Sequence, residues 1–504
     1  MTISKSKYLK YFQCPKILWL EKYKKELTKS IQEQLQENNK TQKIELPYNP
    51  IKMIDNFSIK LYNSKSTCEN DDFTCMYEKT LKFLKDKKIK SIHKATLKYD
   101  NTYFVVDILK KVKKGYIVYL VKPSKNLRQT YLIEMSYLKY ILEDKLNMPI
   151  YRYCVVTINP NFVKNGDIDP KKYFKVNYVG SKIKDYYKYI PANLENCNDI
   201  MSSCVEPEIE FSTKCCGSHE CQYLNYCRKP LPNLSIFDLH ACTNKIELYN
   251  RNIISFQDVL DNNIPLDAIQ KRQIDYALND LPIYVDIEKL KIFLSKLKFP
   301  LYFLDFESTQ EELPIHDGIK PFEQVPFQYS LHYILEEGGE LNHKEFLANE
   351  NQDPRIELVK HLVEDIPQNS CIVAYNDSFE RGVITRLAKN FPEYSEHLLK
   401  LSKNFIDLSE PFQNGYIYNR EMKGSFSLKS VLPALYPNCP ELNYSNLEDI
   451  HNGVDARIIF PNLAYMKEED RLKERQNLLK YCFLDTYAMV KIWQKLIDLC
   501  NGKL

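Results

Sequence analysis

Three short stretches of the chain carry carboxylates at spacings that could hold a cation. LYFLDFEST, residues 301–309, ends an aromatic, apolar run with Asp305 and Glu307, one residue apart. On a strand such residues face the same side. Two carboxylates side by side repel unless a cation lies between them. A divalent metal answers that repulsion; the plain alternative is two acids at a strand end in water. SCIVAYNDSFERGVITRLA, residues 370–388, predicts a strand at Ile372–Tyr375, Asn376 as a helix cap, and Glu380 near the start of the helix. LLKYCFLDTYAMVKIWQKL, residues 478–496, predicts an amphipathic helix. On it Tyr481 and Asp485 share a face one turn apart, and an acid within an apolar surface demands a partner.

The elements that would position these residues are legible too. KFPLYFLDFEST is short and rich in aromatics, which suits a buried strand. VPFQYSLHYILEEGGELNHKEFLA, residues 325–348, reads as a hairpin turning at Gly338–Gly339. KGSFSLKSVLPALYP, residues 423–437, offers Ser427 as a helix start and Lys429 for a phosphate. Gln328 and His332 read as structural polar groups in preference to nucleic-acid contacts. Asp407 and Asp455 are reserve carboxylates.

Together the three stretches resemble the DEDD exonucleases, the DnaQ-like branch of the ribonuclease H fold, over residues 296–504. The acid-x-acid motif falls on Asp305 and Glu307. The Asn-x-x-Phe-acid motif falls on NDSFE, with Glu380 where aspartate is usual and Asp377 as a nearby substitute. The Tyr-x-x-x-Asp motif falls on YCFLD, and its Tyr481 marks the DEDDy subclass. The resemblance implies two-metal phosphodiester hydrolysis. Asp305, Glu307 and Asp485 would hold one Mg²⁺ or Mn²⁺. Asp305 would bridge to a second ion, with Glu380 reaching it directly or through water. Tyr481 would orient the attacking water.

Fifteen cysteines in a chain expected to be cytoplasmic argue for thiols or metal over a disulfide framework. Most are scattered, but KCCGSHECQYLNYC, residues 214–227, groups Cys216, Cys221 and Cys227 beside Cys215. Cys14, in YFQCPKILWL, is a candidate fourth thiolate. A Ser…Leu…CP start followed some 200 residues later by such a cluster resembles the iron–sulfur nucleases of the RecB family, including CRISPR-associated ones. That resemblance implies a [4Fe–4S] cluster on Cys14, Cys216, Cys221 and Cys227. Zinc on four thiolates, or with His219, is the alternative, and Cys215 could replace Cys216.

A RecB-like domain implies a PD-(D/E)XK site. TYFVVDILKKV supplies Asp107 and GYIVYLVKPSK supplies Lys122, but Leu120 stands where the central acid belongs. Leu138 stands where the family tends to place glutamine. The expected site is therefore vestigial, with Glu134 as a possible rescue.

Charge divides the chain in the same sense. Residues 1–230 carry 41 Lys and Arg against 25 Asp and Glu. The whole chain carries 70 against 66, which leaves 29 against 41 in the remainder. A basic half suits a polyanion and an acidic half suits metal carboxylates. Apolar residues make up 44%, enough for real cores. No apolar run long enough for a membrane helix and no signal peptide is read at the start, so no membrane partner is expected. The expected fold is α/β: a RecB-like domain over 1–230, a helical connector over 231–295, and a ribonuclease H-like mixed sheet flanked by helices over 296–504. The expected function is a 3′→5′ exonuclease on single-stranded nucleic acid, DNA favoured, with the first domain binding nucleic acid. The competing readings are a non-catalytic binding module with two dead sites, and a working RecB-like nuclease.

Overall fold

The computed structural model describes residues 2–38, 49–67, 72–215, 221–228, 231–447, 450 and 452–502. It is a mixed α/β structure of two compact units. The first takes the described residues up to Asn225 together with Glu311–Glu323; the second takes those of Tyr226–Gln310 and from Gln324 onward. The stretch expected as a connector, 231–295, thus belongs to the second unit. It is largely helical, as its apolar spacing predicts, but it also contributes a strand. Among the described residues no helix is long and apolar enough to cross a membrane.

The first unit is built on a six-stranded sheet whose spatial order follows the chain: β1 (Lys65–Ser66), β2 (Ser91–Tyr99), β3 (Thr102–Val112), β4 (Gly115–Val121), β5 (Ile150–Ile158) and β6 (Phe174–Tyr178). β1–β2 and β4–β5 are parallel; the other pairs are antiparallel. The turn from β3 to β4 requires glycine: Gly115 has φ +120°, and a Cβ there would lie 1.9 Å from the Pro149 carbonyl oxygen. The parallel step from β4 to β5 passes through the helix Gln129–Lys139, as such crossovers do. Glu311–Glu323 sends Leu313 and Phe322 into this unit's core.

The second unit holds β7 (Ile283–Val285), β8 (Leu301–Thr309), β9 (Val325–Ile334), β10 (Asn342–Leu347), β11 (Cys371–Ala374), β12 (Phe405–Asp407) and β13 (Ile417–Asn419). Five of them form one sheet, ordered β10-β9-β8-β11-β12; β7 pairs separately with β13. β8–β9 and β9–β10 are antiparallel, whereas β8–β11 and β11–β12 are parallel. The hairpin between β9 and β10 turns where the glycines predict, with Gly338 at φ +77°. β8 lies near the middle of the sheet, which explains its unbroken apolar run. Leu301 and Phe303 face a core that includes Leu478, Leu484 and Ala488 of the 33-residue helix Glu468–Cys500. Tyr302, Leu304 and Phe306 face the opposite core, with Leu358, Val383 and Ile384 from the helices Pro354–Asp365 and Ser378–Asn390.

Candidate active site and metal centre

β8 alternates its side chains, so Asp305 and Glu307 continue the Leu301–Phe303 face toward the helix Glu468–Cys500. β11 pairs with β8 only as far as Val373 opposite Phe303. The two acids therefore project past the end of that neighbour, where the sheet opens into a cleft of about 470 Å³. Asp485 enters the same cleft from the long helix. One ligand oxygen each from Asp305, Glu307 and Asp485 lie within 4.8 Å of one another, and no other group of three or more His, Cys, Asp or Glu among the described residues meets that criterion. Glu307 and Asp485 are buried and Asp305 is half-buried.

Their protonation shows the strain of this packing. Burial and the carboxylates of Asp485, Glu307 and Glu380 raise the Asp305 pKa well above the ordinary range. Burial and Asp485 push Glu307 up to about 8, against a partial pull from Lys429. Burial raises Asp485 to about 6, opposed by Tyr444, Lys429 and Tyr481. Glu380 sits in the first turn of the helix Ser378–Asn390 and is also buried. Burial and the nearby Asp377, Asp407 and Asp485 raise it to about 8. Its Oε2 is buried with no hydrogen-bond partner. Glu380 is not one of the tight three, but its charge reaches both Asp305 and Glu307.

The donor set fits a hard divalent cation: oxygen ligands only, in a buried cluster whose like charges are compensated by little else. The orphaned Glu380 Oε2 adds a fourth oxygen without a protein partner.

Tyr481 lies one turn before Asp485 and lines the cleft. Lys429, in the first turn of the helix Leu428–Leu435, donates to its hydroxyl at 3.3 Å. Lys429 also lies over the rings of Tyr481 and Tyr444, at 5.1 and 4.8 Å. Burial and the surrounding carboxylates drive the Tyr481 pKa upward, so the phenol keeps its proton. Two residues were not anticipated. Tyr444 donates to Asp485 Oδ1 at 2.6 Å from a short 3-10 turn, Tyr444–Asn446, 41 residues away. Cys482 places its thiol 3.6 Å from Asp305 Oδ2. The second had a readable signal, since it stands three residues before Asp485 on a helix; the first had none.

Several expectations need correction. Asn376 does not cap the helix. The cap position belongs to Asp377, which makes no side-chain cap bond and pairs with Arg381 instead, Oδ2 to Nε 2.7 Å. That pairing turns it away from a substitute role for Glu380. Asn376 takes the left-handed conformation, φ +61°. Its amide donates to Asp407 Oδ1 at 2.9 Å, and its side-chain oxygen accepts from Gln413 at 2.7 Å. Asp407 also accepts from the Ser409 amide and hydroxyl, so it is tied to the loop. Ser427 does stand at the helix start, without a cap bond. Asp455 accepts from the Asn452 side chain at 2.9 Å. Gln328 donates to the Leu478 carbonyl, and His332 bonds Thr486 Oγ1 through Nδ1, both buried.

In the first unit, Asp107 and Lys122 approach a common region, but lysines fill it. Asp107 accepts from Lys94 at 3.1 Å and from the Val121 amide at 2.9 Å. Lys94 also reaches Asp55 at 3.2 Å, and Asp55 bonds His93 Nε2 at 3.0 Å. Lys94, with φ +51°, interrupts the β2–β3 ladder without shifting its register and lies directly opposite Asp107, between the pairs His93–Ile108 and Ala95–Val106. Lys122 pairs with Glu134 at 2.7 Å, and Lys5 takes the other Glu134 oxygen at 3.0 Å. Burial alone would raise Asp107, yet Lys94, Lys5 and Lys122 outweigh it and hold the carboxyl below its ordinary value. Leu120 is fully buried among apolar residues, and Leu138 packs in the same core. Glu134 therefore pairs with two lysines, one through each oxygen.

Of the candidate cluster ligands, Cys216 and His219 lie outside the described residues. Cys14, between the helices Lys5–Gln13 and Pro15–Tyr23, and Cys221 both feel the charge of Cys215, and Cys221 also feels that of Cys14. Cys215 thus joins the neighbourhood in which Cys216 was expected. Cys227 ends the short helix Leu224–Cys227. The thiols of Cys14, Cys215 and Cys221 do not make a group as tight as the carboxylates.

A family model described as a domain of unknown function (DUF2779) matches residues 302–427. The match includes Asp305, Glu307 and Glu380 and stops before Lys429, Tyr481 and Asp485. Comparison with curated proteins and with solved structures finds no match.

Proposed function

We propose that the second unit hydrolyses phosphodiester bonds from the 3′ end of single-stranded nucleic acid, DNA favoured, using two Mg²⁺ or Mn²⁺ ions. The observation that carries this reading is the meeting of Asp305, Glu307 and Asp485, ligand atoms within 4.8 Å, in an open cleft. The strand order β10-β9-β8-β11-β12, with the first three strands antiparallel and the rest parallel, is that of a ribonuclease H-like sheet and supports the resemblance.

Asp305, Glu307 and Asp485 would hold the ions, with Glu380 completing the set. Bound there, divalent ions would neutralise the phosphate and ease loss of a proton from water. The rest of the work belongs to the chain. Tyr444 fixes Asp485 through its Oδ1, and Tyr481 also hydrogen-bonds that carboxylate. Tyr481, kept protonated, can donate to an attacking water or a phosphate oxygen. Lys429 orients that phenol and adds positive charge at the mouth of an acidic cleft. Phe379 and Met489 give the cleft apolar wall against which a terminal base can pack.

The first unit is read as non-catalytic, because its carboxylates are already matched by lysines. Cysteines, Cys14 and Cys221 of the first unit among them, would hold a [4Fe–4S] cluster, with zinc as the alternative. Absorbance near 400 nm that bleaches on reduction separates the two. End-labelled DNA and RNA strands incubated with Mg²⁺ or Mn²⁺ test the main reading. Stepwise shortening from the 3′ end is expected, and it should vanish in Asp305→Ala. Internal cuts, or activity that survives this substitution, would refute it.

A further inference from the structure

One face of the first sheet is covered by the helix Pro50–Tyr62, which packs Ile54, Phe57 and Leu61 with Ile108, Tyr119, Cys154 and Val156. The helix stops at Tyr62, where Asn63 turns left-handed at φ +47°. Its last ring packs on Tyr119 with centroids 4.3 Å apart. Past that end the sheet carries tyrosines and cations at its surface. Tyr178, on the edge strand β6, is 63% exposed, and Tyr151 is 42% exposed. The β4–β5 register slips between Ile150 and Arg152, so Tyr151 is an extra residue in a bulge. Bulges re-aim side chains, and this one sets Tyr151 beside its own neighbour: the Arg152 guanidinium lies 4.9 Å from the Tyr151 ring and 5.2 Å from the Tyr178 ring. Lys114 stands 5.5 Å from Tyr151, and Lys110 stands 5.1 Å from Tyr62.

Cations accompany these exposed rings. Lys94, Lys122, Lys139 and Lys164 of the same unit all sit in ion pairs. Among the described residues Lys110, Lys114 and Arg152 make none, and their charged ends lie over rings. The surface thus presents uncompensated positive charge interleaved with exposed aromatic faces. An acidic peptide would answer the charge and leave the rings in water. An unpaired nucleic-acid strand answers both, with phosphates for the cations and bases for the ring faces. The geometry points to a single-stranded nucleic-acid platform here, with a base on Tyr178 and a phosphate at Arg152. This rests on the reading of the chain as a nucleic-acid enzyme and gives the first unit its part in it: gripping the strand.

The test is binding of a fluorescent single-stranded oligonucleotide to the full chain in EDTA, where no hydrolysis occurs. Tyr178→Ala should weaken binding by about tenfold, within the range for loss of one base stack, and Tyr178→Phe should not. Arg152→Glu should weaken binding further and flatten its salt dependence by about one phosphate contact. Equal affinity for the wild type and Tyr178→Ala overturns the platform. So does a wild type that binds no oligonucleotide in EDTA. Binding to anionic vesicles or an acidic peptide that falls in these variants while oligonucleotide binding holds would also overturn it. If binding depends on Tyr178 but no 3′ shortening occurs with Mg²⁺, the fault lies in the reading of the second unit alone.

Discussion

The two units each gather three or more acids in one place, and they resolve the repulsion in opposite ways. Around Asp107, a set of three carboxylates (Asp55, Asp107 and Glu134) meets three ammonium groups, from Lys5, Lys94 and Lys122. The charges cancel inside the protein, and the pKa values of Asp55 and Asp107 fall below their ordinary values. Around Asp305, four carboxylates share one lysine and two tyrosines, and all four pKa values rise. A buried cluster that is complete has no use for a cation. One left short of positive charge by this margin must take up protons or a metal. Acid spacing alone does not separate the two cases; the count of nearby ammonium groups does.

The sharpest way to break this contrast is Asp305→Ala. It should lower Mg²⁺-dependent hydrolysis by more than the roughly 100-fold that loss of a partner to a ligand can cost. The thermal midpoint of the metal-free protein should not fall, because a repelling charge has gone. Full activity, or a collapse of the fold in EDTA, would erase the distinction between the units. Asp107→Asn makes the reciprocal case. It strips a half-buried ammonium of one of its two carboxylates, so the first unit should lose up to about 3 kcal/mol, while Lys94 keeps Asp55. Hydrolysis per folded molecule should not change. A stable Asp107→Asn protein would mean that the lysine cluster is looser than its distances indicate.

A smaller effect is expected at Tyr444. Tyr444→Phe removes the donor to Asp485 and should cost about 10- to 100-fold in metal affinity or rate. The fold should survive, since the ring remains. A variant that matches the wild type would leave Asp485 positioned by its helix and by Tyr481.

How much of this could be read from the chain differs between the same two regions. At Asp305, strand periodicity places Asp305 with Glu307 and helix periodicity places Tyr481 with Asp485, so the motifs mark the site in sequence. At Asp107, sequence shows an acid, a lysine and a missing acid at Leu120. It cannot show that Lys94 fills the gap, because that depends on a left-handed residue interrupting the β2–β3 ladder opposite Asp107. Tyr444 fails for a similar reason, since nothing in a short turn 41 residues from Asp485 marks it as the donor. The Asn376 cap was misread because its left-handed backbone and its bond to Asp407 are set by a neighbouring strand. Nothing in the sequence marks where the chain folds back: Glu311–Glu323, between two paired strands, belongs to the first unit. Periodicity within an element is legible in sequence, but what another element brings to meet it is not.

The mildest and most discriminating test is pH. Without metal, Glu307 and Glu380 sit at about 8 and Asp485 at about 6, above ordinary values of 4.5 and 3.8. A raised carboxyl pKa means that the folded state keeps a proton the unfolded chain has released. Its stabilising contribution is complete below the unfolded value and is lost as pH climbs through the folded one. The second unit should therefore lose midpoint temperature between pH 5 and 8 in EDTA, on the order of a few degrees. Asp55 and Asp107 have the opposite sign: their contribution is complete above about 4 and fails as pH drops below it. The first unit should hold steady from pH 5 to 8 and weaken only in acid. Mn²⁺ at pH 8 should restore the second unit by binding its folded form, and should do little at pH 5, where protons already hold the acids. Calorimetry can follow the two units as separate transitions, with Asp305→Ala marking the one that answers to metal. A metal-induced rise that is equal at pH 5 and pH 8 would mean that the ion does not compete with protons at these four carboxylates.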